Sequence, residues 1–208
     1  MSVAPCSERA SASASSIRPR RTSARARDSY LLEAELHESG GHPDDAFDAV
    51  ERGLAVFEND GSLLYARAML HERAGRADAA LADLRRVLDD APADARALNA
   101  YGYLLVEARQ DYAAALPLLE RAHALQPESA PILDSLGWVN LRLGRHERAL
   151  TLLRDAWARE KDPEIAAHYG EALWIAGRPD EARAVWRAGA VLDPDHPALK
   201  RAMEIPDR

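Results

Sequence analysis

From Asp28 to His196 the chain repeats a pattern of short and large apolar residues at intervals of about 34 positions. Residues 130–162 and 163–196 show it most plainly. Gly137 and Gly170 are followed seven residues later by Gly144 and Gly177, then by Ala149 and Ala182, then by Leu153 and Trp186. Extending the spacing backwards gives units at 27–60, 61–94, 95–129, 130–162 and 163–196, with nothing left over between them. Within each half-unit the apolar positions recur at three- and four-residue steps, the period of a helix with one buried stripe. Each unit therefore predicts two helices joined by a turn. A stripe that one hairpin cannot bury alone is covered by the next, so the expected fold is all-α, a right-handed superhelical solenoid of five hairpins. Pro197 opens ALKRAMEI, read as a capping helix over 197–205.

The short residues mark where helices cross. They fall at Ala34, Ala68, Gly102, Gly137 and Gly170 on first helices and at Ala46, Ala80, Ala115, Ala149 and Ala182 on second helices. Two helix axes approach to about 8–10 Å only where such side chains meet. Val50, Leu84, Leu119, Leu153 and Trp186 are expected to fill the space beside each crossing. Gly41, Gly75, Gly144 and Gly177 stand where a first helix ends in a left-handed residue. Arg109 takes that place in the third unit, which predicts a turn of different shape. Pro92, Pro127 and Pro194 stop second helices, and Asp60, Asp94 and Ser129 are placed to cap the first helices that follow. Glu33 and Arg67 stand in the first two units where Tyr101, Leu136 and Tyr169 stand later, so the pattern is weaker at that end.

Composition bears mainly on what the chain contacts. Residues 1–27 hold six Arg and one Glu, a charge of +5, which leaves −12 on the remainder of a chain whose net charge is −7. An acidic body repels a phosphate backbone, so nucleic acid is not an expected partner. The Arg-, Ser- and Ala-rich segment 1–27 has little to bury and reads as a disordered tail before a repeat domain at 28–208. No apolar run is long enough to span a membrane. As the sequence stands, without a secretory signal or lipid-attachment motif, a cytoplasmic location is expected. A start codon lying further upstream would make a periplasmic or outer-membrane-associated location the expectation instead. Cys6 is the single cysteine, so no disulfide framework or cysteine zinc site is expected.

The combined spacing identifies residues 27–196 as tetratricopeptide repeats. The segments ALNAYGYLL, ILDSLGW and EIAAHYGEALWIAGRPDEARAVW further resemble the C-terminal repeats of large proteobacterial tetratricopeptide lipoproteins of the cell envelope. Members of that group bring substrates to a periplasmic carboxyl-terminal processing protease. The resemblance implies an adaptor or scaffold that binds protein. It also departs from the group, which carries a signal peptide, a lipidated cysteine and many more repeats.

No catalytic motif accompanies the repeats. There is no HExxH pair, no GxSxG and no glycine-rich phosphate loop, so neither enzyme activity, metal nor cofactor is expected. What the pattern offers is a concave groove lined by first helices. In the third unit the register places Arg96, Asn99 and Tyr103 there, and in the fourth Asp134, Trp138 and Arg142. The fifth contributes His168, Glu171 and Trp174. Aromatic and Arg side chains anchor interfaces, so a peptide or protein surface is the expected ligand. Self-association through the weak first unit is the alternative, as is service as the accessory subunit of a cell-envelope protease or cell-wall enzyme.

Overall fold

The computed structural model describes residues 18–205, which contain eleven helices. They form five antiparallel pairs: α1 (Arg18–Ser39) with α2 (Pro43–Val56), α3 (Gly61–Arg73) with α4 (Ala77–Asp90), α5 (Ala95–Arg109) with α6 (Tyr112–Leu125), α7 (Ala130–Arg142) with α8 (His146–Arg159), and α9 (Pro163–Ile175) with α10 (Pro179–Leu192). A short α11 (Pro197–Met203) packs on α9 and α10. Each second helix also packs on the first helix of the next pair, which makes the stack continuous. Among the described residues no helix is long and apolar enough to cross a membrane.

α1 begins at Arg18, inside the segment read as a disordered tail. Arg and Ala are good helix formers, and a helix already docked through Ala34 can extend through them at little cost. Residues 1–17, which include Cys6, lie outside the described residues.

The crossings follow from the short residues. Ala46, Ala80, Ala115, Ala149 and Ala182 are all completely buried, as are Val50, Leu84, Leu119 and Leu153 beside them. In the last pair the neighbour is Trp186, whose indole lies so close to Gly170 that a Cβ there would sit 2.0 Å from its Nε1. That indole also donates to the Ala167 carbonyl at 3.3 Å.

The turns hold one surprise. Gly41, Gly75, Gly144 and Gly177 have φ between 69° and 76°, as a left-handed helix stop requires. In the third pair α5 runs past the place where the others stop, and Gln110, not Arg109, takes the left-handed conformation at φ 54°. The extra residue of that unit is absorbed in this longer helix. Asp60 and Asp94 cap α3 and α5 by accepting two backbone N–H groups each. Ser129 makes no side-chain cap bond, whereas Asp162 caps α9, a cap the sequence reading did not single out.

Arg67, which breaks the apolar pattern, is paired. Its guanidinium donates to both carboxylate oxygens of Asp83 and to Glu51, each at 2.7 Å. Asp83 is 4% exposed. Ions thus fill the place that Tyr101, Leu136 and Tyr169 fill with rings or branches. The apolar core divides into two large clusters, one spanning α1 to α5 and the other α5 to α11, with Leu104 in the first and Val106 in the second.

Candidate functional site

First helices α5, α7 and α9 stand side by side on the inner wall, α7 touching both of the others. The curvature presses their inward side chains together. Trp138 of α7 stacks on His168 of α9, with centroids 4.1 Å apart and rings 15° from parallel. Its indole N–H donates to Glu107 of α5 at 2.7 Å, and the Arg142 guanidinium lies 5.2 Å from its ring centroid. His168 Nδ1 is 2.9 Å from Asp134 Oδ2 and 3.1 Å from Oδ1. The Tyr103 hydroxyl of α5 donates to Glu164 of α9. Arg142 in turn pairs with Glu171 at 3.6 Å.

These contacts bury polar groups that the sequence alone places on an exposed groove wall. Asp134 and His168 are each 4% exposed and Trp138 is 8% exposed. The reason is the curvature: successive first helices converge on the inner side, and α11 covers the end of the row. Burial is the largest influence on His168 and opposes its charge. The pull and hydrogen bond of Asp134, helped by Glu164 and Glu107, outweigh it together and raise His168 to about 9. The group is therefore an imidazolium at neutral pH, and its Nδ1–H donates to Asp134. Burial, reinforced by Glu164 and Glu107, pushes the Tyr103 phenol up, so it remains protonated and acts as a donor.

This polar layer separates two cavities. One, of about 300 Å³, opens between α5, α7, α9 and α11; Trp138, Arg142, His168 and Glu171 meet Arg201, Ala202 and Ile205 there. The other, of about 180 Å³, lies on the Asp134 side, between Asn99, Tyr103, Glu164 and Asp162. The Asn99 Oδ1 is buried there without a partner. Among the described residues no three His, Cys, Asp or Glu side chains gather as metal ligands would.

The structure brings together Tyr103, Asp134, Trp138, Arg142, His168 and Glu171, with Asn99 at the edge of the second cavity. It does not bring in Arg96 or Trp174. Arg96 is exposed over the Tyr65 ring, 5.1 Å from its centroid, toward α3. Trp174 stacks on Trp186 at 6.0 Å and lies under Arg183 of α10. Six residues past His168, it is about 120° around the helix, on the side that faces its hairpin partner. Glu171, one helical turn past His168, pairs with Arg142 of α7. Glu107, Glu164 and Arg201 complete the site, and sequence reading missed all three. The first two sit at unit positions where other repeats carry different residue types, and Arg201 comes from the cap.

Paired helices of this length, crossing at alanine and glycine and stacked around one inner wall, define an α-solenoid repeat scaffold. The chain belongs to the tetratricopeptide repeat family, whose model matches residues 57–190. It is 41% identical over 142 residues to the TPR repeat-containing protein PA4667 of Pseudomonas aeruginosa. That match covers 68% of this chain, and the chain spans about a quarter of the relative's length. Among solved structures it resembles TTC0263, a thermophilic TPR protein of Thermus thermophilus. The TM-score is 0.72 at 25% identity, over 86% of this chain and 97% of that one. It shares its fold with pilF of Pseudomonas aeruginosa, with a TM-score of 0.67 at 22% identity, over 81% of this chain and 77% of that one.

Proposed function

We propose that the chain is an adaptor that holds a segment of a partner protein against the inner faces of α5, α7 and α9. The observation carrying this reading is the cavity of about 300 Å³ walled by Trp138, His168 and Arg142. It is concave, partly apolar and furnished with a few fixed polar groups, as ligand sites are. Asn99 and Tyr103 extend the contact surface toward α3, and exposed Arg96 lies at its far margin. The finer reading, delivery of substrates to a periplasmic carboxyl-terminal processing protease, rests on the likeness of ALNAYGYLL, ILDSLGW and EIAAHYGEALWIAGRPDEARAVW to envelope lipoproteins of that role. The likeness to PA4667 supports common ancestry with a much longer repeat protein.

The test uses the full chain as bait, beside an Asn99→Ala/Arg142→Ala variant and an Arg148→Ala control on α8, each verified as folded by circular dichroism. A partner identified by mass spectrometry should be lost from the groove variant and kept by the control. Retention by the groove variant would move the contact to another surface.

A second reading has one observation in its favour. Leu32 and Leu36 of α1 are 56% and 63% exposed, an apolar edge suited to self-association. Light scattering should then show a concentration-dependent mass that Leu32→Glu/Leu36→Glu abolishes; a monomer at every concentration would dismiss it.

A further inference from the structure

We propose that the chain assembles head to tail, the exposed stripe of α1 in one copy seating in an open cleft between α4 and α5 of the next. This rests on the self-association reading above and assigns the surface that receives Leu32 and Leu36.

The cleft lies behind α5. Tyr101 and Leu105 are each two residues, about 200°, from Tyr103 and so stand on the side of the helix opposite the inner wall. With Leu81 and Ala82 of α4 they floor a hollow of about 650 Å³, with Arg85 at one end and Asp111 at the other. The same repeat positions are closed further along the stack: Leu136, Asn140, Tyr169 and Leu173 are buried, whereas Tyr101 and Leu105 are half-buried. Ala82 is short where α6 and α8 carry Pro117 and Thr151. An apolar floor left open in this way gains by being covered.

The chain itself carries a stripe that matches the cleft. Leu32 and Leu36 are four residues apart, a rise of about 6 Å, the same rise as from Tyr101 to Leu105. Arg25 stands seven residues before Leu32 on the same face, and Glu35 flanks the pair. Both are exposed, and neither has an ion pair or hydrogen bond among the described residues. Arg85 is likewise exposed and unpaired, and the exposed Asp111 carboxylate accepts only the Ala114 N–H of the α6 cap. Arg109 and Asp78, at the Asp111 end, satisfy each other. Laying α1 parallel to α4 therefore brings Glu35 to Arg85 and Arg25 to Asp111 while the two leucines enter the apolar floor. Arg25 to Glu35 spans about 15 Å along its helix and Asp78 to Arg85 about 10 Å, a difference that the length of an arginine side chain closes. The reverse orientation sets Arg25 against Arg85. Because donor and acceptor are different surfaces, the contact is heterologous and repeats from copy to copy.

The test is sedimentation velocity of the full chain, up to about 500 µM because a contact of two helical turns falls among the small, weak interfaces. The unaltered chain should form a concentration-dependent series of dimers and longer rows. Leu32→Glu/Leu36→Glu removes the inserted stripe, and Ala82→Glu places a charge in the cleft at an exposed helix position. Each variant alone should be monomeric and as helical by circular dichroism as the unaltered chain. Mixed, the two should form a dimer and nothing larger, because each keeps the surface that the other has lost. Arg85→Glu should weaken association about threefold, the worth of one exposed ion pair, and adding Glu35→Arg to it should restore the loss. A monomer at every concentration would overturn both this proposal and the self-association reading, and leave the cleft to the helix of another protein. Association lost in Leu32→Glu/Leu36→Glu but kept in Ala82→Glu would overturn the cleft alone and mean that α1 pairs with itself. A mixture of the two variants that stays monomeric while the unaltered chain associates would also overturn the cleft. The adaptor reading stands apart from every one of these outcomes.

Discussion

Raising the pH through about 9 removes the proton from a histidine that is buried, paired and stacked, and the fold should weaken as the proton leaves. Burial opposes the charge on His168, but Asp134 of α7, Glu164 of α9 and Glu107 of α5 together hold it. A rise from 6.5 to about 9 corresponds to about 3 kcal/mol of linkage. Because the folded value lies above the unfolded one, this stabilisation is complete below about pH 6.5 and is lost as the pH rises through about 9. Tyr103 is pushed upward, away from this window, so it does not confound the measurement. Urea unfolding at a series of pH values is the assay. With a slope near 2 kcal/mol/M the midpoint should fall by roughly 1.5 M across the interval. His168→Gln should flatten that dependence, and Asp134→Asn should reduce it by removing the charge that holds the proton. Direct titration of the His168 ring by NMR should give a midpoint near 9. A ring titrating at or below 6.5, or a midpoint that falls equally in His168→Gln, would refute the reasoning.

Other outcomes follow from single residues. Gly170→Ala drives a methyl group into the Trp186 indole and should cost about 1–3 kcal/mol by thermal or urea unfolding. Arg67→Ala leaves buried Asp83 with only the half-exposed Arg86, 3.6 Å away, and should cost up to about 3 kcal/mol; replacing Arg67 and Asp83 by apolar residues of similar size should recover most of that loss. Gln110→Gly relieves a left-handed non-glycine residue and should add up to about 1 kcal/mol of stability in urea, whereas Gly144→Gln should remove a similar amount. Asp60→Ala should cost about 1 kcal/mol through loss of two cap bonds, while Ser129→Ala, which loses none, should be silent.

The hairpin pattern was legible because a helix crossing requires a short residue at a fixed place, and that requirement repeats with the unit. Ala46 through Ala182 and the glycine stops carry it in the sequence itself. The site was legible only as a face. The register places Trp138 and His168 on the inner wall, yet their stacking depends on how tightly α7 and α9 converge, which spacing does not record. Trp174 belongs to the same helix as His168 and the same residue class as Trp138, but about 120° of rotation sends it to the hairpin interior. Arg67 looked like a lapse in an apolar pattern because its partners, Asp83 and Glu51, lie sixteen residues away on either side. Gln110 shows the same limit at a turn: one additional residue was visible, but the length it added to α5 was not.

The seam at α5 bears on how the protein comes apart. Leu104 belongs to one apolar cluster and Val106 to the other, so a single helix joins two cores that otherwise have separate members. Opening on one side of such a joint does not require opening on the other. The N-terminal repeats can exchange their amide hydrogens or be clipped while α7 to α11 keep the inner wall intact. Loss of α5, by contrast, takes Glu107 from beneath Trp138 and Tyr103 from Glu164. The joint therefore couples the integrity of the inner wall to the one helix that both halves must share.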